Sequence, residues 1–195
     1  MNSMKSKIAL LGTSADPPTF GHQALLEGLL TLFPQVATWA SNNPMKKHGA
    51  SLESRSCLLN ALVKTINDPN LELMQDLSNP KTIKTLEKAT QKWPNSDLTF
   101  VIGSDLTCQI PNWSHAQKIL QKARLAIAPR EGWPIKKSHL KILEALGGEI
   151  DLLPLKIPET SSSWARNNAK ANQIPPAVLK ILLKQNLYGI SNEKQ

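Results

Sequence analysis

The chain has 195 residues, 41% of them hydrophobic, and a formal net charge of +8. That length suits one compact unit with a sizeable core, no stretch approaches the roughly 20 apolar residues of a membrane span, and two cysteines make neither a disulfide framework nor a metal pattern. The charge asks for an anionic partner such as nucleotide phosphate, but its lysines are scattered and no aromatic-interleaved basic block accompanies them, which argues against nucleic acid.

The start is basic, but the apolar run behind it is broken at Gly12, too soon for a signal peptide, so a cytoplasmic protein with reduced thiols is expected. Strand-type runs follow at 7–12, 36–40, 71–76, 98–102, 125–128 and 150–155. Most are near-continuous apolar runs, as a sheet covered on both faces requires. Helical patterns lie between them at 22–33, 53–67, 81–92, 114–122 and 137–146. This alternation predicts an α/β, Rossmann-like doubly wound fold with a mostly parallel sheet of about six strands. The last forty residues differ. A Ser-rich stretch leads to Pro175–Pro176 and a helix predicted over 177–186, so residues 156–195 read as a small helical C-terminal part of a single domain spanning 1–195.

In such a sheet, ligands bind at the C-terminal edge of the strands, near the switch in strand order. The first strand ends in "GTSADPPTFGH". Gly12 and Thr13 close the strand, Gly21 and His22 open a helix, and Pro17 and Pro18 stiffen the turn and remove competing donors. Backbone N–H groups and the positive helix end favour phosphate there, and His22 adds a donor from a fixed position. A side chain on Gly12 would crowd that phosphate. No P-loop and no GxGxxG is present. Gly103 and Asp105 follow the strand at 98–102, Asn43 follows 36–40 and Arg130 follows 125–128, all at the same edge. Each also has a structural reading: a cap for Asp105, core packing for Trp113, a helix-surface position for Thr82, and an ion-pair role for Arg55.

Thr19, Gly21 and His22 resemble the (H/T)xGH signature of the nucleotidylyltransferase superfamily. "TSSSWAR" resembles its second signature, ISSTxIR, matching at Ser161, Ser162 and Arg166 and departing at Ser163, Trp164 and Ala165. "GSD" followed by "PNW", "SNNPMKKH", "NPKTIKTLEK" and the terminal "LYG" resemble segments of the bacterial nicotinate-nucleotide adenylyltransferases, in family order over nearly the whole chain. The resemblance implies transfer of AMP from ATP to nicotinic acid mononucleotide, with Mg2+ carried on the triphosphate and no metal ligands from protein side chains. It implies that His22 acts on the α-phosphate, that Thr19 holds a second oxygen and that Arg166 grips the β- and γ-phosphates, helped by Ser161, Ser162 and Ser163. It implies further that Asp105 contacts nucleotide hydroxyls, Trp113 stacks on the pyridine ring, Thr82 reads the carboxylate, and Asn43, Lys47 and His48 serve the mononucleotide from a loop. The departures are Leu11 for a glycine, Ser14–Ala15 before the Asp, Thr at 19 where His is commoner, and Trp164. Nicotinamide mononucleotide or pantetheine phosphate as acceptor, a non-catalytic nucleotide-binding protein, a nucleic-acid-binding module, and a homo-oligomer remain open at this point.

Overall fold

The computed structural model describes residues 5–158, 162–163, 166 and 171–190. In chain order its elements are β1 (Ser6–Thr13), α1 (Phe20–Leu32), β2 (Gln35–Ala40), α2 (Leu52–Ile66), β3 (Leu71–Leu73), α3 (Thr82–Lys92), β4 (Ser96–Gly103), α4 (Ala116–Lys122), β5 (Arg124–Ala128), α5 (Lys137–Ala145), β6 (Ile150–Leu152) and α6 (Pro176–Lys184). The strands form one sheet in the order β3-β2-β1-β4-β5-β6, and every pairing is parallel. This is the doubly wound α/β architecture expected from the alternation of apolar runs.

The strands are apolar throughout because both faces are covered. Successive side chains alternate between two cores, as the two-residue period of a strand dictates. Ile8 and Leu10 of β1, Phe100 and Ile102 of β4, and Leu125 and Ile127 of β5 pack with Ile83, Leu86, Ile119 and Leu143 from α3, α4 and α5. Ala9, Leu11, Val101, Ala126 and Ala128 face the other way, onto Leu26 and Leu29 of α1, Leu58, Leu59 and Leu62 of α2, and Val178 and Leu182 of α6. The C-terminal helix is therefore part of the second core.

Two strands end earlier than the apolar pattern suggests. β3 stops at Leu73 and a short 3-10 turn, Gln75–Leu77, replaces its predicted end. There the Gln75 amide clasps Ala40, accepting from its N–H at 2.9 Å and donating to its carbonyl at 3.0 Å. β6 stops at Leu152, two residues before Pro154, which has no N–H for a ladder. Helix ends differ from the expected ones by one or two residues. At the start of α4 the Ser114 hydroxyl pairs with His115 Nδ1 at 2.8 Å, and His115 leads into the helix with φ 66°.

The order places β1 and β4 side by side, with crossovers leaving to opposite faces of the sheet. A crevice opens at the carboxyl ends of such a pair. Gly12 and Thr13 end β1 there, and Gly103 ends β4.

Candidate active site

A cleft of about 1260 Å³ occupies that crevice. Among the described residues, it gathers every candidate named from the sequence: Gly12, Thr13, Thr19, Gly21, His22, Asn43, Lys47, His48, Thr82, Gly103, Asp105, Trp113, Arg130, Ser162, Ser163 and Arg166. Ser161, Trp164 and Ala165 lie outside the described residues.

The turn from β1 into α1 sets the histidine. Thr19 is the N-cap of α1 and is fully buried. Its backbone N–H donates to His22 Nδ1 at 3.1 Å, and its hydroxyl lies 2.9 Å from the same nitrogen. Because Nδ1 accepts, the ring proton sits on Nε2. Desolvation in the cleft, helped by the nearby Arg130 charge, pushes the His22 pKa down to about 4. The imidazole is thus a neutral donor through Nε2 at physiological pH. A direct hold by Thr19 on a phosphate oxygen would require its hydroxyl to turn from His22. Ala15, one of the departures from the family pattern, is buried with φ 47°, an uncommon conformation for a residue with a Cβ.

Gly12 serves the packing of the site in a way the sequence does not show. A Cβ there would stand 2.8 Å from the Trp39 indole, paired with it across β2. The missing side chain makes room for a buried tryptophan, so crowding of phosphate is not needed to explain the glycine. Gly12→Ala is expected to lower stability by about 1–3 kcal/mol, the usual cost of overpacking a well-filled core. Thermal denaturation checks this, and an unchanged Tm would mean that Trp39 moves aside freely.

At the end of β4, a Cβ on Gly103 would collide with the Asp105 carboxylate. Asp105 pairs with Arg130, Nη1 to Oδ2 at 3.0 Å. The turn carrying Arg130 is fastened from below by Ser104, whose hydroxyl donates to the Trp133 carbonyl at 2.7 Å and accepts from the Arg130 N–H at 3.0 Å. Trp133, 52% exposed, lines the cleft and was not among the expected site residues. Trp113 packs, its ring meeting Phe100 edge to face at 6.4 Å, and it also borders the cleft.

The loop after β2 is built on Asn43, whose side chain accepts from the Met45 N–H at 2.9 Å and whose carbonyl accepts from the Lys46 N–H at 3.2 Å. Lys46 reaches Ser14 Oγ at 3.4 Å. Arg55 is structural, but through backbone rather than the expected ion pair: it is buried and donates to the carbonyls of Ser14 at 2.7 Å, Ser41 at 3.0 Å and Ala50 at 3.3 Å. Burial, with the Arg55 charge beside it, pulls the His48 pKa below its ordinary value against the opposing pull of Asp16. Ser162 donates to the Pro17 carbonyl at 2.8 Å, tying the second signature to the first turn. Arg166 pairs with Asp16, Nη1 to Oδ2 at 3.2 Å, and its Nη2 donates to Ser163 Oγ at 3.2 Å.

Asp16 lines the cleft, and its place in the sequence gives it no role. It is buried, yet nothing local distinguishes it from any Asp before a proline. Among the described residues, no group of three His, Cys, Asp or Glu side chains could hold a metal ion. The cleft carboxylates Asp16 and Asp105 are each committed to an arginine. No described helix is long and apolar enough to cross a membrane.

The family profile described as Cytidylyltransferase-like matches residues 10–174. A protein of Synechocystis sp. described as "Probable nicotinate-nucleotide adenylyltransferase" is 36% identical over 93% of this chain and 98% of its own length. A Rhodopirellula baltica protein of the same description is 29% identical over 94% of each. Among solved structures, the Plasmodium falciparum nicotinic acid mononucleotide adenylyltransferase complexed with NaAD superposes with a TM-score of 0.77 at 22% identity, over 96% of this chain and 100% of that one, a likeness of fold. The chain belongs to the cytidylyltransferase-like family and, within it, to the nicotinate-nucleotide adenylyltransferases.

Proposed function

We propose that this protein transfers the adenylyl group of ATP to the phosphate of nicotinic acid mononucleotide, forming nicotinic acid adenine dinucleotide and pyrophosphate, a step of NAD biosynthesis in the cytoplasm. The observation that carries the reading is the convergence of both signatures and three intervening family segments on one cleft at the β1/β4 switch.

A mononucleotide phosphate is already ionised at neutral pH, so the nucleophile needs no general base. Its oxygen attacks the α-phosphorus of ATP, the bond to the bridging oxygen breaks, and pyrophosphate leaves with the electron pair. Catalysis is then positioning and charge stabilisation. His22 donates its Nε2 proton to an α-phosphate oxygen as a neutral hydrogen-bond donor. Thr19 holds the ring from behind. Arg166 takes the β- and γ-phosphates with the part of its fork that Asp16 does not occupy. Asp105 accepts from ribose hydroxyls. Mg2+ enters with the triphosphate as part of the substrate, which suits a cleft where Asp16 and Asp105 are each engaged by an arginine.

The acid is favoured over the amide by the α3 N-terminus at the cleft. Lys81 and Thr82 stand there and the first turn has no acidic side chain, a setting that attracts a carboxylate. Assaying ATP-dependent dinucleotide formation with each mononucleotide tests this. Faster turnover of the nicotinic acid form is expected, preference for the amide overturns the assignment, and no turnover with either overturns the activity. Trp113→Ala is expected to raise KM for the mononucleotide by roughly 5- to 30-fold, the worth of a lost stacking contact of about 1–2 kcal/mol. KM for ATP should change little, and equal effects on both substrates would reduce Trp113 to packing.

A further inference from the structure

Among the carboxylates that line the cleft, Asp16 is the buried one, and the transfer chemistry leaves it unused. Asp16 is 2% exposed, within a site that receives polyanions, where an uncommitted negative charge would repel them. It is anything but uncommitted. Oδ2 accepts from the Gly49 N–H at 2.8 Å and from Arg166 Nη1 at 3.2 Å, and lies 3.6 Å from His48 Nδ1. Oδ1 accepts from the Ala50 N–H at 3.2 Å and from the Tyr188 phenol at 2.7 Å. The Asp16 carbonyl also accepts from Arg166 Nη1.

Tyr188 arrives from the turn after α6, at the far end of the chain. Asn186, Tyr188 and Gly189 take φ values of 49°, 60° and 64° to make that turn. Residues with a Cβ hold such a conformation where surrounding contacts impose it. Gly49 completes the arrangement. A Cβ there would stand 2.9 Å from Tyr188 Cε1 and 3.0 Å from Arg166 Cδ, so the phenol ring and the arginine stem lie together over bare backbone.

The donors of Arg166 divide accordingly. A guanidinium has five N–H groups. Nη1 spends both on Asp16, and Nη2 spends one on Ser163. Among the described residues, the Nε–H has no partner and Nη2 keeps one N–H beyond its bond to Ser163; Nε and Nη2 are the two nitrogens of the side-on edge of the fork, the edge suited to two oxygens of one phosphate.

We propose that Tyr188 is a positioning residue for Arg166: its phenol holds the Asp16 carboxylate, and Asp16 holds the guanidinium with its side-on edge presented to the polyphosphate of ATP. What Arg166 grips rests on the adenylyltransferase reading; the path from Tyr188 through Asp16 to Arg166 is geometry. The C-terminal Leu-Tyr-Gly turn is thereby a working part of the nucleotide site.

The test is ATP binding by calorimetry on the full chain, for wild type, Tyr188→Phe, Arg166→Lys and the double variant, with nicotinic acid mononucleotide titrated in parallel. Tyr188→Phe should raise the Kd for ATP roughly 3- to 30-fold, the range for residues coupled in one hydrogen-bond network. The mononucleotide Kd should move less. The double variant should bind ATP more tightly than the product of the two single losses implies, because lysine has no fork to position. An ATP Kd equal to wild type in Tyr188→Phe, a lowered Tm without an ATP-specific loss, or multiplying effects in the double variant overturns the proposal. Should Tyr188→Phe fail to fold, Gly49→Ala asks the same question while leaving every hydrogen-bonding group in place. It should weaken ATP binding selectively by pushing the ring and stem apart, and unchanged binding overturns the proposal. Failure of wild type to form dinucleotide would overturn the assigned reaction, whereas the ATP comparison would still decide the role of Tyr188.

Discussion

His22→Ala is expected to lower kcat by about 10²-fold or more, since single preorganised donors to a developing transition-state charge are worth that much. The KM values should change far less, because the α-phosphate contact matters most when charge builds on it. Steady-state kinetics with both substrates varied checks this, and a near wild-type kcat would leave His22 as a helix-capping residue only. The depressed pKa gives a second handle. His22 titrates near 4 in the folded protein and near 6.5 when unfolded. The unfolded chain therefore takes up the proton first as pH falls, so the fold loses stability between pH 6.5 and about 4 and keeps it in full above 6.5. The Tm advantage of wild type over His22→Ala should shrink across that window. The kcat/KM for ATP, which reports the free enzyme, should show no acid limb near 6.5. An acid limb there would mean that His22 titrates unshifted in the free enzyme, and a loss of activity as pH rises through 6.5 would mean that the imidazolium is the active form.

Arg166→Ala is expected to cut kcat/KM for ATP by about 10²-fold or more, through loss of a forked, charge-assisted contact to the polyphosphate. Its structural effect is separate. Asp16 would lose its closest cation while staying buried, and removing one partner of a buried pair costs up to about 3–5 kcal/mol. The cost should fall below that range here, because Gly49, Ala50 and Tyr188 still donate to the carboxylate. Arg166→Lys should restore most of the stability and little of the activity, since an ammonium cannot serve Asp16 and a phosphate side by side. Parallel denaturation and kinetics of the two variants separate these effects. Full activity in Arg166→Lys would mean that charge alone suffices.

Much of the site was readable because its chemistry is written in short local segments. Thr19, Gly21 and His22 sit within four residues, and a turn that caps a helix shapes itself from neighbours in the chain. Candidates at the ends of strands, such as Asn43, Asp105 and Arg130, could be named because a parallel sheet sends all its carboxyl ends to one edge. Gly12 was named for an incomplete reason: its need for space comes from Trp39, and the pairing of β1 with β2 that brings them together is a tertiary fact. Trp133 was passed over because an aromatic after a glycine turn has no period to classify it.

By itself, the sequence determined the α/β architecture, since apolar runs of strand length alternating with amphipathic helices leave few other ways to bury both faces of a sheet, and the reaction class was implied by the resemblance of its short motifs to a known family. Tertiary structure alone decided how the site is tuned. The tautomer and low pKa of His22 come from Thr19 and from desolvation in a cleft that exists only once β1 and β4 lie side by side. The setting of Arg166 is made by Asp16, which pairs with it and accepts from Tyr188, a residue most of the chain away that arrives only when α6 packs on α2. Hydrogen bonds and buried charges are set by distance and dielectric in space, and neither is legible along a chain.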